Sequence, residues 1–178
     1  MFRPIHPDDK PRLQEGLTKL SPASRYLRFF SPIDHFTDRQ LRYLTEIDYE
    51  NHFAWVAICP DAVDSPGVGV ARWIRLHDDP TIAEGAVTVI DEFQGKGIGK
   101  TLLWLATYSA IERGVRAFQM YTLGDNSIVH HLLEDLGAHP VASESGTQEY
   151  RVPLPQDPDE LEGTPAPLVL RAAAEGRI

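Results

Sequence analysis

The stretch Gln94-Gly95-Lys96-Gly97-Ile98-Gly99-Lys100 follows an apolar strand pattern, Ala86 to Ile90, and runs straight into a helical pattern that begins near Ile98. Glycine at alternate positions leaves backbone amides bare where side chains would block an incoming group. A loop of this kind that opens a helix is an anion site. The first amides of a helix lack intrahelical acceptors, and the positive end of its dipole points at the same spot. The chain must therefore contain a strand-loop-helix unit, and the ligand of that unit should carry phosphate.

Two familiar phosphate loops do not fit. A P-loop needs four residues between its first glycine and Gly-Lys-Ser/Thr, so Gly99-Lys100-Thr101 would require glycine where the chain has Gln94. The dinucleotide fingerprint G-x-G-x-x-G starts correctly at Gly95 and Gly97 but meets Lys100 at its third glycine. What remains is Gln-x-x-Gly-x-Gly, read as Gln94, Gly97 and Gly99. Three glycines alone would equally describe a turn capping a buried helix, so the surrounding elements decide.

A chain of 178 residues suits one domain with a sizeable core. The N-terminal residues lack the apolar run of a signal peptide and nothing reads as a membrane span, so a soluble cytoplasmic protein is expected. The single cysteine, Cys59, agrees with a reducing compartment and reads as a half-buried strand residue. A formal net charge of -9 argues against a nucleic-acid partner. The same field favours a cationic acceptor such as an amine.

Phe2 to His6 reads as a short strand, followed by a helix capped by Asp8 or Asp9 with Leu13, Leu17 and Leu20 on one face. Ser21-Pro22 caps a second helix, and Thr37-x-x-Gln40 forms a capping box for a third. Phe53 to Cys59 and Val68 to Leu76 make an antiparallel hairpin, and Ala83 to Ile90 the next strand. The glycine loop and its helix run to Arg113, Gly114 stops the helix, and Ala117 to Leu123 returns as a parallel neighbour. Asn126 caps a further helix that ends at Gly137, and strands around Val141 to Ala142 and Glu149 to Leu154 complete the sheet. Residues 155–178 read as a tail rich in proline and acid, either disordered or carrying one short docked helix over Pro167 to Ala174.

This order of elements, with the Gln-x-x-Gly-x-Gly loop after the fourth strand, resembles the GNAT acyltransferase superfamily over residues 2–154. A narrower resemblance is to the acetyltransferase domain of bacterial Pat-type protein-lysine acetyltransferases. It rests on Ser24-Arg25-Tyr26-Leu27-Arg28-Phe29-Phe30, on Ala83-Glu84 followed by Ala86-Val87-Thr88-Val89, and on the Asn126 to Gly137 helix. The resemblance implies an α+β, three-layer GNAT fold: a mixed, mostly antiparallel sheet with parallel, splayed central strands, flanked by helices. It also implies acetyl-coenzyme A as cosubstrate. Gln94, Gly95, Lys96, Gly97, Ile98, Gly99, Lys100 and Thr101 would cradle its pyrophosphate. Val87 and Val89 would act through strand backbone, and Asn126 would lie near the pantetheine arm while capping its helix.

Acetyl transfer to an amine requires a base, because a lysine ammonium with a pKa of about 10.4 is almost wholly protonated at neutral pH. Glu84 is the candidate. It sits on the strand that leads to the loop among Ala83, Gly85, Ala86 and Val87, where burial should raise a carboxylate and suit it to proton transfer. Its competing reading is a solvent-facing strand end. The resemblance places the Pat-type catalytic glutamate here too. Many GNAT enzymes carry a tyrosine that protonates the leaving thiolate; the aligned position is Leu133, with Tyr108 and Tyr121 as substitutes. A thiol near the cysteine value of about 8.5 can leave without that acid.

The histidines, including the adjacent His130 and His131, have no ligand spacing and read as surface residues, so no metal is expected. Arg25 and Tyr26 are substrate-side candidates. The expected activity is N-acetyl transfer from acetyl-coenzyme A to a primary amine by direct attack, preferably to a protein lysine. A small-molecule amine (polyamine, antibiotic or amino acid) is the alternative acceptor, and a non-catalytic acyl-coenzyme A sensor the alternative class. An exposed sheet edge is compatible with a homodimer.

Overall fold

The computed structural model describes residues 1–60, 66–123, 126, 129–130, 133, 137–144 and 146–156. Their elements are β1 (Phe2–Pro4), α1 (Lys10–Thr18), α2 (Pro22–Phe29), α3 (Asp38–Thr45), β2 (His52–Ile58), β3 (Gly67–Arg75) and β4 (Ile82–Val89). Then follow α4 (Ile98–Ile111), β5 (Ala117–Leu123), β6 (His139–Glu144) and β7 (Thr147–Pro153). The seven strands form one open sheet in the order β1-β2-β3-β4-β5-β7-β6. Only β4 and β5 pair in parallel, and α4 is the crossover between them. The expected mixed, mostly antiparallel sheet flanked by helices is the fold observed.

The two faces of the sheet are built differently. Phe53, Trp55, Ala71 and Trp73 on one face pack against Leu102, Leu105 and Ala106 of α4, forming the main core. Gly69 lies where a side chain would meet Leu102 and the Thr88 carbonyl, so β3 and α4 approach closely. The opposite face presents Ala54, Val56, Ile58 and Val70 to Leu13 of α1. Here α1, α2 and α3 cover the sheet, their first turns set by local caps. Ser21 Oγ accepts from the Ser24 amide at 3.1 Å, and Thr37 and Gln40 form the expected capping box.

Asp9 departs from its expected part as a simple cap. Its carboxylate is buried and takes both guanidinium nitrogens of Arg3 at 2.7 Å, the His6 amide at 2.8 Å and Arg12 at 3.2 Å. Burial alone would raise this carboxyl, but the bonds from Arg3 and His6 outweigh it and hold it below the usual carboxylate range. The same cluster ends β1 at Pro4, two residues earlier than the apolar pattern suggests, because His6 turns away to cap the following 3-10 turn.

Asn126 accepts from the Val129 amide at 3.3 Å, in keeping with a cap, and Leu133 is fully buried in the main core. Most of the expected Asn126 to Gly137 helix lies outside the described residues, as does the tail beyond Gln156. Among the described residues no helix is long and apolar enough to cross a membrane.

One polar node holds the α4 face. Ser109 Oγ accepts the indole N–H of Trp55 at 3.3 Å and of Trp73 at 3.1 Å, and donates to the Ala106 carbonyl at 3.0 Å. Both indoles are buried, so removal of this acceptor leaves two donors unsatisfied. Ser109→Ala should lower unfolding free energy by about 2–4 kcal/mol, read as a shift of the urea midpoint. An unshifted midpoint would show that the indoles find other acceptors.

Candidate active site

Between β4 and β5 the sheet opens. Their pairing runs from Ile82↔Ala117 to Glu84↔Gln119 and ends there, while β4 continues to Val89 and β5 to Leu123. Past that point each strand stays with its outer neighbour: β4 with β3 as far as Val89↔Gly69, β5 with β7 as far as Leu123↔Thr147. Gly85 marks the parting, because a Cβ there would lie 3.2 Å from the Phe118 ring and 3.3 Å from Met120.

Strand alternation shows which backbone groups face the gap. The Ile90 amide donates to Val68 on the β3 side, so Ile90, Thr88 and Ala86 point their N–H groups toward β3. Val87 and Val89 point theirs the other way, into the opening, where no β5 residue pairs with them. The loop sits at its mouth. Gly95 and Gly97 have φ of +70° and +81°, which explains glycine at both positions, and a Cβ at either would touch nothing within 4 Å. Gly97 caps α4, whose first intrahelical bond is Thr101 N–H to the Gly97 carbonyl at 3.0 Å. The amides of Ile98 and Gly99 therefore lack intrahelical acceptors and face outward with the helix dipole. Gly99 lies against Val89 and Val87, so helix start and strand end form one wall.

The side chains around the loop have specific duties. Gln94 donates from Nε2 to the Val89 carbonyl at 3.0 Å and tethers the loop to the strand. Lys96 lies over the Phe93 ring, 4.6 Å from its centroid, and Lys100 is exposed on the first turn of α4. Asp91 is exposed and accepts from the Ser21 amide at 3.3 Å, joining the loop to the N-cap of α2.

Glu84 is the last residue of β4 that pairs with β5, and so stands at the throat of the opening. It is exposed rather than buried among its small neighbours, a correction to the sequence reading: alternation turns it to the face that α2 covers only in part. Arg28 of α2 lies within electrostatic range. Arg25 instead fastens the ends of α2, donating to the Leu20 carbonyl at 3.0 Å and the Ile33 carbonyl at 3.4 Å, whereas Tyr26 is exposed. Tyr121 is exposed and bonded to Gln119, and Tyr108 packs against the core. His130 is half-buried and bonded, where a surface position was expected. It accepts or donates at 2.6 Å with the Tyr150 hydroxyl and at 3.2 Å lies against the Leu123 carbonyl, joining β7 to the end of β5. No group of three or more potential ligands among the described residues is placed to hold a metal ion.

On the Glu84 face, sequence reasoning missed a cavity of about 70 Å³ under α1, α2 and α3, lined by Arg28, Arg72, Thr88, the Asp9–Arg12 pair and apolar side chains. The available signal was Arg72, a charge inside an otherwise apolar strand. It sits between Ala54 and Ala86 of the flanking strands, whose short side chains make room for the guanidinium. Arg72 donates to the Leu44 carbonyl through both terminal nitrogens at 3.3 Å, and lies 2.9 Å from His52 Nε2. Burial first, and the nearby Arg28 second, push it down to about 9. Burial likewise pushes Arg28 down, Glu84 opposing.

The chain matches the Acetyltransferase (GNAT) family over residues 22–138. Acetyltransferase Pat of Mycolicibacterium smegmatis is 35% identical over 154 residues, which cover 86% of this chain and 45% of that protein. Acetyltransferase PA5475 of Pseudomonas aeruginosa is 30% identical over 136 residues, covering 76% of this chain and 70% of the relative. Among solved structures, the GNAT domain of S. lividans PAT superimposes with a TM-score of 0.78 at 27% identity, covering 86% and 89% of the two chains. This chain thus spans less than half of the smegmatis protein and most of the other two.

Burial and Arg72 also push His52 down to about 4 from its ordinary 6.5. Above pH 6.5 the imidazole is neutral in folded and unfolded chains alike; between 6.5 and 4 the unfolded chain takes up the proton and the folded one resists it. Stability should therefore fall as pH drops through that window, and His52→Gln should flatten the decline. Denaturation midpoints at several pH values check this, and parallel declines in the two proteins would remove His52 as the cause.

Proposed function

The chain belongs to the Acetyltransferase (GNAT) family, and from that premise we propose that it transfers acetyl from acetyl-coenzyme A to a primary amine, preferably a protein lysine, with Glu84 as general base. GNAT acetyltransferases use acetyl-coenzyme A, which when bound supplies the acetyl group as a thioester. The observation that carries the reading is the interrupted β4–β5 pairing: outward amides on β4, outward amides at the start of α4, and a carboxylate at the point where the strands part.

The residues fit that cosubstrate. The amides of Gly95 to Gly99, with open space over Gly95 and Gly97, suit a pyrophosphate. Lys96, Lys100 and the Thr101 hydroxyl would border it, with Gln94 holding the loop in shape. Val87 and Val89 N–H groups would pair with the amide-bearing arm and donate to the thioester oxygen as negative charge develops there. Asn126, at the far end of β5, would flank the same arm.

Glu84, exposed beside the opening, would take the proton from an incoming ammonium directly or through one water. The neutral amine nitrogen then bonds to the carbonyl carbon as the carbon–sulfur bond breaks, sulfur leaves as thiolate, and the second nitrogen proton passes to water or to that thiolate. Leu133, the buried position aligned with the tyrosine of many GNAT enzymes, would provide no acid, in keeping with a leaving group that needs none. Tyr26 would edge the acceptor's approach, with Arg25 fixing the helix that carries it. A protein lysine is supported by the likeness to Pat and by the net charge of -9. The catalytic unit would be residues 2–154, with a cytoplasmic location and residues 155–178 as a separate tail.

Glu84→Gln should lower kcat by about 10²–10⁴-fold while leaving the calorimetric Kd for acetyl-coenzyme A within about twofold. An unchanged rate would remove Glu84 as base. Assay of a purified protein set beside polyamines, aminoglycosides and amino acids identifies the acceptor class, and acetylation confined to the small amines would overturn the preference for lysine.

A further inference from the structure

The cavity on the Glu84 face of the sheet contains more positive charge than its surroundings neutralise. Arg72 is 5% exposed, and among the described residues no carboxylate pairs with it: its nitrogens meet a carbonyl, an imidazole and the field of a second guanidinium. Arg28 lines the same cavity, and its nearest described countercharge is Glu84 across the face of the sheet. Thr88 adds a hydroxyl, whose Oγ1 is buried and, among the described residues, has no hydrogen-bond partner. Strand register places Thr88 and Arg72 as diagonal neighbours on one face, through Val70↔Thr88 and Arg72↔Ala86. Asp9 also borders the cavity, but Arg3 and Arg12 already occupy its carboxylate.

We propose that this cavity is an acceptor subsite for a carboxylate, held by Arg72, Arg28 and the Thr88 hydroxyl, so that the amine acetylated at Glu84 belongs to a molecule or segment that also carries a carboxylate. The inference rests on the acetyl-transfer reading for its orientation and adds the chemistry of the acceptor. Arg72 is buried and Arg28 half-buried, and such guanidiniums are compatible with a folded chain when a planar anion can accept from them, as a carboxylate does with two parallel bonds. Its remaining lone pairs match the unpartnered Thr88 hydroxyl. A carboxylate is favoured over a phosphate because Glu84 and Asp9 stand close by and would repel a dianion. The walls between are apolar, from Leu13, Leu17, Phe29, Phe36 and Leu44, and suit a short methylene spacer. Two sources carry this chemistry: a free amino acid or ω-amino acid, and an acidic side chain beside the target lysine of a protein.

The test uses the full chain and matched acceptors, followed by coenzyme A release. One arm compares ω-amino carboxylates of increasing length with alkylamines of equal length. The other compares lysyl peptides having Glu beside the lysine with the corresponding Gln peptides. In the arm that matches the natural acceptor, the carboxylate member should have a KM about tenfold or more below its neutral partner. Thr88→Val and Arg28→Gln should erase most of that difference. These variants are chosen because Arg72 also anchors α3 through Leu44, whereas Thr88 Oγ1 holds nothing and valine preserves its shape. Equal KM values for charged and neutral members in both arms, or discrimination that survives both variants, overturn the proposal. Calorimetric titration of the same carboxylates separates it from the transfer reading. Binding that Thr88→Val and Arg28→Gln weaken, with no acceptor turned over, keeps the subsite and removes the enzymatic reading. Absence of both binding and discrimination removes the subsite alone if neutral amines are still acetylated.

Discussion

β4 and β5 run side by side for three residue pairs, Ile82↔Ala117 to Glu84↔Gln119, before each follows its outer neighbour. A buried strand edge without partners is costly, because each unmade backbone hydrogen bond leaves a desolvated polar group. Here the cost is contained by leaving the gap open and by letting Gln94 take the Val89 carbonyl. The remaining Val87 and Val89 amides are available to a ligand with amides of its own. The crossover helix begins beside this gap, so its dipole and first amides serve the same ligand. Glu84 stands at the parting point. The proposed chemistry thus depends on the one place where neighbouring central strands part.

The two faces of the sheet divide the work. Toward α4 the chain closes an apolar core around Trp55 and Trp73, and its central polar group, Ser109, is satisfied on every side. Toward α1, α2 and α3 the packing is looser and more charged. Arg72 and Thr88 stand beneath the helices, and the space left between them is a cavity. A rigid face that fixes strand positions and a recessed face that admits a second substrate are complementary requirements of a ternary complex.

Much of this was legible in the sequence because it rests on local rules. Positive-φ glycines at Gly95 and Gly97, the caps at Ser21 and Thr37, and the β-branched strands around the hairpin each follow from backbone sterics or short-range hydrogen bonding. What escaped depends on contacts distant in sequence. Asp9 looked like a cap because its partner Arg3 precedes it on a separate strand, and the Arg12 bond became visible only once α1 was placed. His130 looked like a surface residue until Tyr150, twenty positions away, closed over it. Glu84 looked buried because its neighbours are small, yet strand alternation turns a glutamate and an alanine to opposite faces. Arg72 was overlooked because apolar strand neighbours conceal a charge whose surroundings come from α2 and α3.

The measurement that tests the central claim most directly is an amide-resolved NMR titration of the protein with free coenzyme A, which binds without turnover. The account predicts the largest shifts at Val87, Val89 and the residues from Gly95 to Gly99, with β1 and β2, at the other end of the strand order, unmoved. Shifts confined to α3 or the β6 edge, with the gap residues silent, would contradict it.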